Sequence, residues 1–204
     1  MPRWGMVFDL KRCIGCNACT IACKQENNLP TDVFFTKTLS EEIGEYPAVT
    51  RIYIPTLCNH CEDPPCQRVC PSGATYTRPD GIVMVDENLC IGCGSCIVAC
   101  PYDVRTMIQP RHLELGLFGD GHFTPYEQQA VNRFVAGTVV KCTFCHERVD
   151  AGLDPACVTT CPTKARIFGD LDDPNSAVRQ LIVERGGQQP LPEKNTSPKV
   201  YYVD

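Results

Sequence analysis

Cys13, Cys16, Cys19 and Cys23 are spaced C-x2-C-x2-C-x3-C, and Cys90, Cys93, Cys96 and Cys100 repeat that spacing. Two further sets, Cys58, Cys61, Cys66 and Cys70, and Cys142, Cys145, Cys157 and Cys161, keep the outer gaps but widen the middle one to four and eleven residues. No cysteine is left over. Thiolates are soft ligands suited to iron–sulfur centres and to zinc, so four complete sets of four predict metal chemistry. In the full run three thiolates hold one 4Fe-4S cubane and the fourth reaches across to a neighbouring one. The run occurs twice in full and twice expanded, which predicts four 4Fe-4S clusters held by all sixteen cysteines.

Rival uses of cysteine fit less well. A zinc site needs only two C-x2-C pairs and leaves the rest of each run idle. Disulfides require an oxidising compartment and Cα and Cβ separations that cysteines two or three residues apart in one turn do not offer. His60 and His146 lie beside cluster cysteines, as ligand histidines do in Rieske centres, yet every group already has its four thiolates. Proline follows Cys70, Cys100 and Cys161, where it ends a short helix and starts an extended path; Lys24 follows Cys23 instead. Turns at Gly15, Gly92 and Gly94 can aim backbone N–H groups at cluster sulfurs. Arg12, Lys24, Arg105 and Lys141 are cations near these runs, either tuning the clusters or simply solvated. No nucleophile with its base, phosphate loop or paired-carboxylate motif is present, so no catalytic residue is expected.

Cysteine at about 8% is high for a chain of this size. With 17 prolines and 15 glycines among 204 residues, few long periodic segments remain for a conventional core, and an apo chain that is largely unfolded is expected. The formal charge of −5 becomes about −13 if each four-thiolate cluster adds about −2, which argues against a nucleic-acid partner. No run nears the roughly 20 apolar residues that cross a bilayer. Residues 1–10 do not read as an export signal.

The elements that must position these cysteines follow from an internal repeat. Asp9-x3-Cys13-Ile-Gly-Cys16 matches Asp86-x3-Cys90-Ile-Gly-Cys93, and Asp63-Pro64-Pro65-Cys66 resembles Asp154-Pro155-Ala156-Cys157. Residues 74–77 and 82–86 flank Arg78-Pro79-Asp80-Gly81, a hairpin signal joining the second and third groups. Residues 6–9 lead into Cys13 as 83–86 lead into Cys90, and 165–169 follow Cys161 as 74–77 follow Cys70. These distant segments are expected to pair as antiparallel strands. The predicted fold class is α+β, a duplicated bacterial-type two-cluster ferredoxin fold, loop-rich, with small antiparallel hairpins and short helices around four clusters. One half would comprise residues 1–57 and 142–170, the other 58–100, with an insertion at 101–141. A tandem arrangement, first group with second and third with fourth, is the alternative.

Residues 1–170 resemble the four-cluster electron-transfer subunits of the molybdopterin oxidoreductase superfamily, which includes the small subunits of polysulfide, thiosulfate, dimethyl sulfoxide, tetrathionate and respiratory arsenate reductases. The resemblance rests on the order of the cysteine groups, Gly73-Ala74, Asp80-Gly81, Lys141-Cys142-Thr143-Phe144-Cys145, Pro155-Ala156-Cys157 and Phe168-Gly169-Asp170-Leu171. It implies that three cysteines of one group and the last of its mate hold each cubane. The sets would be Cys13, Cys16, Cys19 and Cys161; Cys142, Cys145, Cys157 and Cys23; Cys58, Cys61, Cys66 and Cys100; and Cys90, Cys93, Cys96 and Cys70. It further implies a subunit without a catalytic site, passing single electrons between a quinol-linked membrane anchor and a molybdenum or tungsten pterin subunit. Arsenate or a sulfur compound would be the terminal substrate. A free-standing polyferredoxin acting as a diffusible carrier is the alternative. The expected location is the periplasmic face of the membrane, reached by export with a signal-bearing partner, with the cytoplasm as the alternative.

Two stretches remain. Leu113, Leu115, Leu117, Phe118, Phe123, Tyr126 and Phe134 in the insertion form either a subunit contact or a cover for the clusters. Residues 171–204 read as a short helix opened by Asp173-Pro174 and ended by Gly186-Gly187, followed by an extended arm that suits a larger subunit.

Overall fold

The computed structural model describes residues 1–116 and 119–204; Leu117 and Phe118 of the insertion lie outside the described residues. The strands are β1 (Trp4–Asp9), β2 (Thr36–Ile43), β3 (Thr50–Leu57), β4 (Thr75–Thr77), β5 (Val83–Val85), β6 (Thr106–Met107), β7 (Val139–Val140), β8 (Arg166–Asp170) and β9 (Val200–Val203). Most helices between them are single turns, and the longest, such as Ala18–Glu26, run nine residues. No helix of the described residues is long and apolar enough to cross a membrane.

β1 is the middle strand of a three-stranded sheet in the order β8-β1-β9. It pairs antiparallel with β8, Phe8 opposite Arg166, and parallel with β9, Met6 opposite Val200. Being central, it is apolar on both faces: Met6 and Phe8 enter the main core, whereas Val7 packs with Leu171, Val178 and Val203 under the helix Ala177–Arg185. The chain's two ends are thus joined. β4 and β5 form the hairpin expected between the second and third groups, with Gly81 at φ +81 in its turn.

Three expectations change. The C-terminal helix begins at Ala177, not at Asp173-Pro174, because Ser176 is the cap that accepts from the Arg179 N–H, while Asp173 closes a turn onto the Asn175 N–H. The tail is extended, but β9 lies in the chain's own sheet. Lys199 is buried and donates to the Gly81 carbonyl at 2.7 Å, while the Glu62 and Asp63 N–H groups donate to residues 197 and 196, so the tail straps the second cysteine group. The paired eight-residue strands β2 and β3, of which β2 packs beside the helix Ala18–Glu26, have no counterpart in the expected elements. In the insertion, Phe134 is buried and Leu113 packs on the main core, whereas Leu115 is exposed.

Candidate cluster-binding site

All sixteen cysteines are free thiols. The helix Ala18–Glu26 carries Cys19 and Cys23 on its buried face, and its N-terminal turn is made by Asn17 in a left-handed conformation, the position Gly94 fills before the helix Ser95–Val98. The helix Ala156–Thr159 carries Cys157 and delivers Cys161 just beyond its end. Neighbouring thiols come from different groups. Cys23 faces Cys142, Cys145 and Cys157, and these four line one small cavity with Met6, Phe35 and Phe144. Cys70, Cys90, Cys93 and Cys96 line a second cavity. Cys61 faces Cys58, Cys66 and Cys100, and Cys13 faces Cys19 and Cys161.

Burial dominates the titration of these groups. It pushes the Cys61 thiol up to about 12 and Cys157 to about 11, and Cys142 and Cys23 also rise well above an ordinary thiol, with neighbouring thiolates adding repulsion. Four such groups in one cage cannot all ionise unless positive charge enters it, which is what iron supplies. The donors that answer the sulfurs are backbone and side-chain N–H groups. Thr75 N–H points at the Cys70 sulfur at 3.4 Å and Ala165 N–H at the Cys161 sulfur at 3.3 Å, five and four residues on from the cysteine. Phe144 N–H reaches Cys142 at 3.4 Å, and Asn27 Nδ2 lies 3.6 Å from Cys23. The donor set, the cages and the N–H groups fit iron–sulfur cubanes.

Of the expected cations, Arg105 and Lys141 are buried. Arg105 Nη2 lies 2.9 Å from the Cys66 sulfur, and Lys141 Nζ donates to the Val83 and Cys142 carbonyls. Arg12 instead is exposed beside Asp9, and Lys24 hydrogen-bonds the Pro30 carbonyl at 2.6 Å. Arg166, absent from the expected list, is buried over the Phe8 ring and beside Cys157. Its signal was available: it stands five residues after Cys161-Pro162, as Arg105 stands five after Cys100-Pro101. His60 is fully buried, stacked on Phe144 at 3.8 Å, and its Nδ1 accepts from the Val83 N–H. His146 sits on the half-open surface near Glu147 and Asp150.

Two glycines are demanded by the cages. Gly15 has φ +67 and a Cβ there would lie 2.3 Å from the Tyr53 ring; Gly92 has φ +68 and its Cβ would meet the Gly137 carbonyl oxygen at 2.3 Å. Gly73 has a similar φ of +69 with nothing within 4 Å. Gly73→Ala should therefore cost only the backbone penalty of about 1–2 kcal/mol. Gly92→Ala should cost clearly more and also lower bound iron per chain, both readable from denaturant midpoints and iron analysis. Equal losses in the two variants would contradict the steric argument.

Comparison with known proteins places this arrangement. A 4Fe-4S dicluster domain model matches residues 49–112 and 122–171, and a second 4Fe-4S dicluster domain model matches residues 12–74. The arsenate respiratory reductase iron–sulfur subunit of Shewanella sp. is 39% identical over 98% of this chain and 96% of its own length. A tetrathionate reductase subunit of Salmonella typhimurium is 42% identical over 98% of this chain and 72% of its own. A Halobacterium salinarum chain provisionally named as a dimethyl sulfoxide reductase iron–sulfur subunit is 44% identical over all of this chain and 80% of its own. The chain belongs to this family of iron–sulfur subunits. Its cysteine groups accordingly provide for four 4Fe-4S clusters, and its place is in electron transport.

Proposed function

We propose that the chain is the electron-wire subunit of an anaerobic respiratory oxidoreductase, linking a quinol-connected membrane subunit to a molybdopterin catalytic subunit that acts on arsenate or a sulfur compound. The observation that carries this reading is the crossing of the groups: Cys23, Cys70, Cys100 and Cys161 each face cysteines of the mate group and not those of their own. On that basis Cys13, Cys16, Cys19 and Cys161 hold one cluster, and Cys142, Cys145, Cys157 and Cys23 the next. Cys58, Cys61, Cys66 and Cys100 hold the third, and Cys90, Cys93, Cys96 and Cys70 the fourth. The pairing of β1 with β8 and of β4 with β5 supports two ferredoxin halves, residues 1–57 with 142–170 and residues 58–100.

When bound, such clusters supply one-electron transfer at potentials set by charge, hydrogen bonds and exposure. The chain's part is to fix the thiolates, donate N–H groups to them and exclude water. Phe8, Phe144 and Leu57 seal the middle of the molecule, while Cys16 and Cys93 are exposed at the two outer sets, where electrons would enter and leave. Attachment at the periplasmic face, after export with a signal-bearing partner, suits the naming of its relatives as respiratory subunits.

Isolation of the tagged chain from its native host tests this reading. Copurification with a larger subunit containing molybdenum or tungsten is expected. Recovery as a lone, stable 22.6 kDa iron–sulfur protein would instead identify a diffusible carrier.

A further inference from the structure

Three buried cations lie between the thiol sets, one at each junction. The Arg105 guanidinium touches Cys66, of the set completed by Cys100, and faces Cys96, of the set completed by Cys70. Arg166 faces Cys157 and Cys19, one from each set of the other half. Each arginine stands five residues after the last cysteine of a group, and the two are anchored alike, Arg105 Nη1 to the Thr75 hydroxyl at 3.2 Å and Arg166 Nη2 to the Thr36 hydroxyl at 3.0 Å. Neither has a carboxylate partner among the described residues, and buried Arg166 Nη1 has no hydrogen-bond partner. A buried guanidinium is never deprotonated, so it needs compensating negative charge, and thiolate clusters are what surrounds it. Lys141 sits where the halves meet, its Nζ on the Val83 and Cys142 carbonyls and facing Cys58 and Cys66.

We infer that Arg166, Lys141 and Arg105 are positioning residues that raise the reduction potentials of the two clusters flanking each of them, interleaving cation and cluster along a single path. The inference rests on the ligand sets proposed above. The path runs from the set at Cys13, past Arg166, to the set at Cys142, past Lys141 to the set at Cys58, and past Arg105 to the set at Cys90. An added electron makes a cluster more negative, so a fixed neighbouring cation favours the reduced form and an electron passing inward meets favourable charge at every junction.

The test is an EPR-monitored redox titration of the assembled complex carrying Arg105→Gln, Arg166→Gln or Lys141→Gln, with iron and acid-labile sulfide counted per chain. Each variant should disfavour reduction of two clusters at least tenfold, about 59 mV for a one-electron couple. Arg166→Gln should move two clusters of one half, Arg105→Gln two of the other, and Lys141→Gln one of each. Arg105→Lys, Arg166→Lys and Lys141→Arg, which keep the charge, should restore most of the shift. Unchanged potentials at full iron content would overturn the inference through the charges, and shifts in other pairings would overturn it through the ligand sets. Should a glutamine variant lose iron, the charge-keeping variant decides. Full iron with near-parent potentials supports the charge role, and full iron with reduction disfavoured tenfold, about 59 mV lower, overturns it.

Discussion

Cys161→Ser is expected to remove or convert one cluster of the four, the one completed by Cys13, Cys16 and Cys19, and to leave the other three with their parent EPR signatures. Serine is a poor substitute for thiolate, so the iron content should fall by up to about a quarter. The reason lies in the sheet. Asp9 N–H donates to the Ala165 carbonyl at 2.8 Å and Phe8 stands opposite Arg166, which holds the start of the first cysteine loop beside the turn after Cys161. Cys23→Ser should act at the far end of the chain, on the cluster of Cys142, Cys145 and Cys157. A tandem arrangement would instead make Cys161→Ser disturb the cluster at Cys90, Cys93 and Cys96, and that outcome would end the nested reading.

Stripping the iron should unfold the chain. Strands of two or three residues and helices of four cannot persist by themselves, since an isolated helix shorter than about 12 residues is marginal in water. The ligands are also the core: Cys19, Cys23, Cys58, Cys142 and Cys157 belong to the main apolar cluster, and Cys66 and Cys96 to a smaller one. A structural metal site can be worth about 10–16 kcal/mol, as much as the whole stability of a typical domain. Chelation under reducing conditions should therefore abolish near-UV dichroism and protease resistance together. An apo chain that kept both would show that the protein scaffold carries the fold.

What was legible in the sequence was whatever had a spacing. The repeat of Asp9 at Asp86 and the turn Arg78-Pro79-Asp80-Gly81 located the β4–β5 hairpin and the pairing of β1 with β8. What was not legible had no local signal. β2 reads as polar and β3 contains Pro55, which sits opposite Thr38 and marks a strand only once its partner is known. The tail looked too polar to be core because the partners of buried Lys199, the Gly81 carbonyl and the Glu62 carboxylate, are both more than a hundred residues away. Ser176 outcompeted Asp173 as a cap because Asp173 was already engaged in its own turn. Arg166 was hidden by its residue type, and only its matching distance from a terminal cysteine, five residues as for Arg105, would have singled it out.

The central place of β1 between β8 and β9 also dictates an order of events at the ribosome. Cys13, Cys16 and Cys19 are made before the second and third groups, but the strand that follows Cys161 and lies beside their loop is made after those groups, and β9 pairs with β1 later still. Chains usually fold from the N-terminus as they emerge. On the division proposed above, residues 58–100 can be completed first, and the thiols of the first group wait, open to oxidation and to the wrong metal, until Cys161 and the strand after it have been made.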